Sequence, residues 1–325
     1  MKTILFFLRS VAIALLGLGL AVAALAQPYP TKPVKLIVPY APSGPTDVMA
    51  RVMAQQLSVG LGEQVIVDNR PGAGGTIGAE AAAKSPRDGY TLLLGTGSTL
   101  AMAPALYPHL GYSATDFEPV GLFADQVLMI LINPSVQANS LKELIALAKA
   151  KPGQLSYGSA GVGNIMHIAG EQFNSMAGVN LVHVPYKGSG QARADLLAGR
   201  IQVVLEGYST YRADIPAGTV KVLAVASSKR HPLLPNVPTT AEAGLPGYEV
   251  AGWFGLVVPK GSPNEAITRL SAETQKALAS KEVRDLLAKL ALEPRGGTPE
   301  SFGAFIQSEA SKWTKVIKDA GIKLE

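Results

Sequence analysis

The chain has 325 residues, of which 47% are hydrophobic and 16% are charged, and it contains no cysteine. This apolar fraction is enough for a buried core and excludes an intrinsically disordered chain. The formal charge of +5 is spread along the chain without a segment rich in Lys and Arg, so no nucleic-acid partner is expected. The lack of cysteine excludes disulfides, thiolate metal sites, a cysteine nucleophile and a lipid anchor on an N-terminal cysteine.

The first 26 residues are typical of a secretory signal peptide. Lys2 and Arg9 precede an uncharged apolar stretch over 11–25, and small residues stand at Ala24 and Ala26. A transmembrane anchor is the alternative, but the stretch is shorter than the roughly 20 residues that span a bilayer. We expect cleavage after Ala26. The mature chain, from Gln27, is then exported, soluble and periplasmic.

Short apolar runs alternate with segments of helical period along the rest of the chain, which predicts an α/β fold. The apolar runs are continuous rather than alternating, as in parallel strands buried on both faces. The predicted strands cover residues 34–38, 65–68, 91–94, 128–132, 181–184, 201–205, 222–226 and 254–258. The predicted helices between them cover 47–57, 141–150, 165–176 and 192–198.

The last third of the chain is predicted to be mainly helical. Residues 262–265 have the sequence of a capping box before a helix over 266–279, and Thr298 begins a last helix that ends at Gly321. Pro and Gly cluster at 133–134 and over 246–252. The length and this punctuation predict two lobes joined by two crossings, one lobe over 27–128 and 252–325 and the other over 129–251.

Four junctions are rich in Gly, Ser and Thr, at 38–47, 69–76, 95–98 and 158–164. Ligands of open α/β sheets bind where strands end and helices begin. Glycine lets the backbone approach a ligand, and the free N–H groups of a helix start favour an anion. Any single loop has a purely conformational alternative, whereas four together indicate an anion-binding cleft.

Known catalytic and cofactor motifs do not account for these loops. The two Gly-x-Gly sequences that begin at Gly72 and Gly161 lack the third glycine of a dinucleotide fingerprint, and neither a P-loop nor a Gly-x-Ser-x-Gly elbow occurs. The four histidines include no pair at i, i+4 for zinc. We therefore expect no cofactor, no metal and no enzyme. A periplasmic hydrolase or lyase that uses His167 and Glu206 is the alternative, and a structural hydrogen bond is the other interpretation of each residue.

Several segments resemble one family. They include YPTKPVKLIVP at 29–39, DNRPGAGG at 68–75, DGYTLL at 88–93, HVPYKG at 183–188 and VPTTAEAG at 237–244. These segments resemble the Bug family, the periplasmic solute-binding proteins of tripartite tricarboxylate transporters. The match runs in order along essentially the whole chain after the predicted signal peptide.

The resemblance implies a two-lobed α/β binding protein of the Venus-flytrap kind, type II-like, with two crossings between its lobes. It implies capture of a small carboxylate, such as a di- or tricarboxylate, an acidic amino acid or an aromatic acid. The implied partners are the membrane subunits of a tripartite tricarboxylate transporter, and the implied state is a monomer. A ligand-loaded partner of a signalling receptor is the alternative role.

The resemblance and the loops together give the candidate ligand-binding residues. The first lobe contributes Ser43, Gly44, Asp47, Gly72, Ala73, Gly74, Gly75, Thr96 and Ser98. The second lobe contributes Ser159, Ala160, Gly161, Gly163, Asn164, His167, Tyr186, Lys187, Gln191 and Glu206. Ser43 and Gln191 depart from the residues usual in the family, and a structural role is the preferred interpretation of Asp47.

Overall fold

The computed structural model describes residues 29–322, so the predicted signal peptide lies outside the described residues. Within this range ten strands form one mixed sheet. The strands are β1 Val34–Val38, β2 Val65–Asn69, β3 Thr91–Thr96, β4 Phe117–Ile132, β5 Ser156–Ser159, β6 Val182–Pro185, β7 Val203–Gly207, β8 Lys221–Val225, β9 Ala251–Pro259 and β10 Leu292–Pro294.

The α-helices of the described range connect these strands. They are α1 Pro45–Leu61, α2 Thr76–Ala83, α3 Ala103–Leu106, α4 Leu141–Ala150, α5 Ile165–Ala177, α6 Ser189–Leu197, α7 Tyr208–Tyr211, α8 Asp214–Ala217, α9 Asn264–Ala279, α10 Lys281–Lys289 and α11 Pro299–Asp319. Short 3-10 turns lie at Ala73–Gly75 and Ala114–Asp116, and a π-helical turn lies at Ser98–Met102.

The long strand β4 joins two groups of strands. Its part up to Val127 pairs with β9 and β10, and β9 continues through β3 and β1 to β2. From Leu128 onward β4 pairs with β7 and β8, and β7 continues through β5 to β6. We call these two groups the first half-sheet and the second half-sheet. The lobe boundaries predicted at 128/129 and 251/252 remain a prediction.

Packing of α1 against the first half-sheet positions one side of the site. Met49, Met53 and Leu57 follow one another on one helix face and are fully buried in a cluster that includes Leu36 of β1. Burying a side chain of this size contributes roughly 1.5–3 kcal/mol to the free energy of unfolding. This contact holds the N-terminus of α1, at Gly44 and Pro45, at the end of the strands.

Each predicted strand and helix overlaps an observed one, but the prediction of parallel strands is wrong for part of the sheet. Strands β3 and β9, β9 and β4, and β4 and β7 are antiparallel. Most residues of β4 and β9 are buried. A continuous apolar run therefore reports burial on both faces and not strand direction.

The capping box predicted at 262–265 is also wrong. The N-cap of α9 is Pro263, with no side-chain cap, and the hydroxyl of Ser262 donates to the carbonyl of Pro259 at 2.7 Å. Strands β5 and β10, helices α2 and α10, and the short helices α3, α7 and α8 were not predicted. Ser156-Tyr157-Gly158-Ser159 contains no apolar run, although β5 is mostly buried.

Candidate functional site

One cavity lies among the first turns of three helices, and it draws its lining from both half-sheets. Its apolar lining residues are Leu128, Ala160, Ile165, Met166, Trp253 and Phe254. Its polar lining residues are Tyr40, Thr46, Thr96, Ser98, Gln126, Asn164, Ser189 and Glu206. Glycines and a proline, Gly44, Pro45, Gly97 and Gly252, complete it. Apolar and aromatic side chains combined with polar groups that can orient a ligand are usual in small-molecule sites.

The N-terminus of α1 forms one part of this lining. Gly44 is the N-cap in extended conformation, and Pro45 is the first helical residue. Proline suits this place because its missing N–H would have no acceptor within the helix. The cavity therefore meets the positive end of a 17-residue helix.

The N-termini of α5 and α6 reach the same cavity from the other half-sheet. Asn164 caps α5, and its side-chain oxygen accepts from the N–H of Met166 at 2.9 Å. The N–H of Ile165 donates to the hydroxyl of Ser98 at 2.9 Å. Ser189, the first residue of α6, also lines the cavity. Each helix terminus stabilises a nearby anion by about 0.3–1 kcal/mol, and by up to about 2 kcal/mol when partly buried.

Glu206 is the one charged side chain among the cavity-lining residues of the described range. Only 3% of it is exposed, at the end of β7. Its Oε1 accepts from the N–H of Gly207 at 2.8 Å and from the side chain of Gln126 at 3.4 Å. Burial raises the pKa of this carboxyl, although the N–H of Gly207 and the nearby hydroxyl of Ser189 act in the opposite direction.

Two of the glycine-rich loops contact each other rather than line the cavity. A Cβ at Gly74 would lie 2.2 Å from the carbonyl oxygen of Val162, and a Cβ at Gly161 would lie 3.1 Å from the nitrogen of Gly74. The hydroxyl of Tyr107 donates to the same carbonyl of Val162 at 2.9 Å. The loops at 72–75 and 161–163 therefore form a close contact between the two half-sheets.

The structure divides the predicted ligand-binding residues into two sets. The residues that line the cavity are Gly44, Thr96, Ser98, Ala160, Asn164 and Glu206. The residues that the structure places outside its lining are Ser43, Asp47, Gly72, Ala73, Gly74, Gly75, Ser159, Gly161, Gly163, His167, Tyr186, Lys187 and Gln191.

Asp47 supports the loop that ends at Gly44. Its carboxylate accepts from Arg51 at 2.9 and 3.0 Å, from Asn69 at 3.0 Å and from the N–H of Ser43 at 3.0 Å. Burial alone would raise the pKa of Asp47, but these hydrogen bonds outweigh burial and lower it. The bond to Ser43 holds that residue at a φ of 74°, a conformation that non-glycine residues rarely adopt.

His167 supports the second glycine loop from behind. Its Nδ1 accepts from the N–H of Gly163 at 3.1 Å, and its ring stacks on His183 at 4.0 Å between centroids. The Nε2 of His183 shares a hydrogen bond with the hydroxyl of Ser159 at 2.6 Å. Burial lowers the pKa of His167 to about 4 and that of His183 to about 3.

The remaining predicted residues interact with their own loop and helix. The hydroxyl of Tyr186 donates to Asp195 at 2.8 Å, and Oε1 of Gln191 accepts from the N–H of Lys187 at 3.1 Å. Residues that sequence reasoning missed include Tyr40, Gln126, Met166, Ser189 and Trp253. Ser189 could have been predicted from the sequence, because it begins a helix directly after Gly188. Trp253 and Gln126 stand within long strands, where no local pattern marks a binding residue.

This fold and cavity define a solute-binding protein. The sequence profile of the tripartite tricarboxylate transporter family receptor matches residues 49–322. The chain belongs to that family, which comprises receptors rather than enzymes, and its fold is that of a two-lobed periplasmic binding protein.

Relatives and solved structures agree with the family. Protein BugT of Bordetella pertussis is 39% identical over 320 residues, which cover 96% of this chain and 98% of that protein. Rpa4515 of R. palustris, solved with adipate, is 37% identical with a TM-score of 0.88, covering 91% of this chain and 99% of that one. MatC of Rhodopseudomonas palustris, solved with malate, is 31% identical with a TM-score of 0.85, covering 89% and 100%.

Proposed function

We propose that this protein is a periplasmic receptor that captures a small carboxylate and delivers it to the membrane subunits of a tripartite tricarboxylate transporter. One observation carries the proposal. The N-termini of α1, α5 and α6 converge on one cavity, and within residues 29–322 no Lys, Arg or His lines it. An anion there is held by helix N-termini and neutral donors.

This arrangement suits a carboxylate energetically. A hydrogen bond to a charged group contributes about 1.5–3 kcal/mol, so a few N–H and O–H donors offset the cost of removing the anion from water. Thr46, Ser98, Asn164 and Ser189 supply polar groups around it. Water bridges between these groups and the ligand would let one frame accept acids of different length.

The similar proteins support the same class of ligand. The two solved neighbours contain adipate and malate, both dicarboxylates. The family description supports the transporter as partner. Action as a monomer, as the resemblance implies, is part of the proposal.

Export to the periplasm rests on the signal peptide predicted at 1–26 and on the family. No helix of the described chain is long and apolar enough to cross a bilayer. Cell fractionation with intact-mass measurement checks export. A protein that keeps residues 1–26 contradicts it.

Calorimetric titration of the mature protein with mono-, di- and tricarboxylates tests the binding proposal. The sharpest variant is Gly44→Val. Gly44 has a φ of −84°, which any residue adopts, and its Cβ would lie 3.7 Å from the Cβ of Ser189. The valine methyl groups would then occupy the space in front of the N-terminus of α1. We expect about tenfold weaker binding of every acid that the protein binds.

Gly190→Val is the matched control. Gly190 lies in the first turn of α6 but outside the cavity lining, and its Cβ would find its nearest atom at 4.0 Å. This variant should bind as the unmodified protein does. If the protein binds none of these acids, the proposed function is wrong.

Deletion of the gene for this protein separates transport from signalling. Loss of gene induction by the ligand, without loss of uptake of the ligand, would favour the signalling role.

A further inference from the structure

Within residues 29–322, one carboxylate oxygen of Glu206 has no hydrogen-bond partner. Its Oε1 accepts from Gly207 and Gln126, whereas no donor within the described residues reaches its buried Oε2. The side chain is 3% exposed and lines the cavity. A buried acceptor without a donor is unfavourable, because it has lost the water that would otherwise bind it.

No cation of the described chain compensates this carboxylate. The nearby Arg193 is held by both oxygens of Asp214, each at 2.7 Å. The other groups around Glu206 are neutral, namely Gln126 on β4, Ser189 on α6 and Tyr211 on α7. The hydroxyl of Ser189 lies close to this carboxylate but is not in hydrogen-bonding geometry with Oε2, so a ligand or solvent in the cavity can supply the donor that Oε2 lacks.

A second unpartnered group lines the same cavity. The indole Nε1 of Trp253 has no acceptor within residues 29–322, and the side chain is 2% exposed. An indole N–H only donates. The cavity thus offers an anion frame at three helix N-termini, one fixed donor at Trp253 and one acceptor at Glu206. A ligand that satisfies all of them needs acceptors and a donor.

We propose that Glu206 is a specificity-determining residue, which selects a carboxylate that also carries a hydrogen-bond donor, an ammonium or a hydroxyl group, bound to Oε2. The proposal rests on the proposed function. A plain dicarboxylate would place further negative charge beside Glu206, where each helix terminus supplies only about half a positive charge. An ammonium or hydroxyl group instead gives Oε2 its missing donor and, for ammonium, cancels its charge.

Two matched series of acids test the selection by calorimetry at about pH 8. The first is succinate, malate and aspartate, and the second is glutarate, 2-hydroxyglutarate and glutamate. For the unmodified protein we expect at least one donor-bearing acid to bind about tenfold more tightly than its plain parent. The difference between malate and aspartate then identifies the donor as hydroxyl or ammonium.

Glu206→Gln is the decisive variant, because its amide replaces one acceptor oxygen with a donor of the same shape. We expect its preference to reverse toward succinate and glutarate. Glu249→Gln makes the same change on an exposed side chain and should leave the ranking unchanged. Melting curves report whether each variant folds. The order in which the unmodified protein prefers the acids tests the proposal even if a variant does not fold.

The outcomes separate this inference from the proposed function. Tight binding of plain dicarboxylates by the unmodified protein, with no gain from an added ammonium or hydroxyl, overturns the role of Glu206 and leaves the receptor function standing. The same holds if Glu206→Gln keeps the original ranking. Failure of the protein to bind any acid contradicts both.

Discussion

At the scale of single residues, the stacked pair of His167 and His183 supports the site without lining it. Both rings accept or share hydrogen bonds as neutral imidazoles, His167 with the N–H of Gly163 and His183 with Ser159. A protonated His167 could no longer accept from Gly163. The loop that contacts the first half-sheet at Gly74 therefore depends on the neutral state of this pair.

We predict that acid weakens the fold through these two histidines. The unfolded chain protonates histidine near 6.5, whereas the folded values are about 4 for His167 and about 3 for His183. Between these limits the unfolded state binds more protons, so the free energy of unfolding falls as the pH falls. The slope is up to about 1.4 kcal/mol per pH unit for each histidine, and it ends as the folded pair itself titrates.

Denaturant unfolding between about pH 7 and 4 measures this slope. His167→Gln keeps an acceptor for Gly163 but does not titrate, so its slope should be shallower. His109→Gln changes an exposed histidine and serves as the control. An unchanged slope in His167→Gln would show that other groups govern the acid response.

The sequence indicated the cavity-lining residues in loops better than those in strands. Gly44, Ser98 and Asn164 could be predicted from the sequence because they stand at strand-to-helix junctions, where backbone donors are free. Trp253 and Gln126 could not be predicted, because their exposure to the cavity depends on how β9 and β4 cross between the half-sheets. That arrangement is tertiary and leaves no local pattern.

At the scale of elements, the glycine-rich loops at 72–75 and 161–163 form a close contact between the half-sheets. The sequence predicted these glycines as ligand contacts, because close backbone approach to a ligand and close approach to another backbone require the same residue. Gly74 has a φ of 63° and faces the carbonyl of Val162. A backbone partner cannot move aside as a flexible side chain can.

Gly74→Ala should therefore weaken ligand binding by preventing this contact. Its Cβ would lie 2.2 Å from the carbonyl oxygen of Val162, so the two loops must separate. Gly178→Ala is the matched control, since Gly178 has a φ of 62° and its Cβ would find its nearest atom at 4.0 Å. Both variants should lose about 1 kcal/mol of unfolding free energy from the left-handed conformation.

Only Gly74→Ala should lower the affinity for every acid in calorimetric titration. Equal affinities in the two variants would show that the loop contact does not contribute to binding.

Among the other elements, helices and strands were predictable where the apolar pattern was strong, as in the periodic helix α4 and the continuous apolar run of β1. The polar strand β5 was not, because its neighbours β6 and β7 determine its place in the sheet.

At the scale of the whole molecule, the cavity is built from two half-sheets that share β4. The chain leaves the first half-sheet at Val127 and returns to it at Ala251, where β9 begins. Hydrogen bonds cross between the sides, from Ile165 to Ser98 and from Tyr107 to Val162. A ligand that touches both sides stabilises the arrangement in which these bonds form.

We therefore expect ligand-induced closure. Small-angle X-ray scattering should give a smaller radius of gyration for the protein saturated with an acid than for the protein alone.

Tyr107→Phe removes a hydrogen bond across the two sides, so it should weaken binding by about 2- to 12-fold, which corresponds to about 0.5–1.5 kcal/mol. Tyr112→Phe removes a similar bond from a tyrosine to the carbonyl of Thr99, at 2.7 Å. Thr99 and Tyr112 both lie between β3 and β4, so this variant should lower the melting temperature but not the affinity. A radius that stays constant at demonstrated saturation would contradict closure, because the two sides would then be held together without ligand.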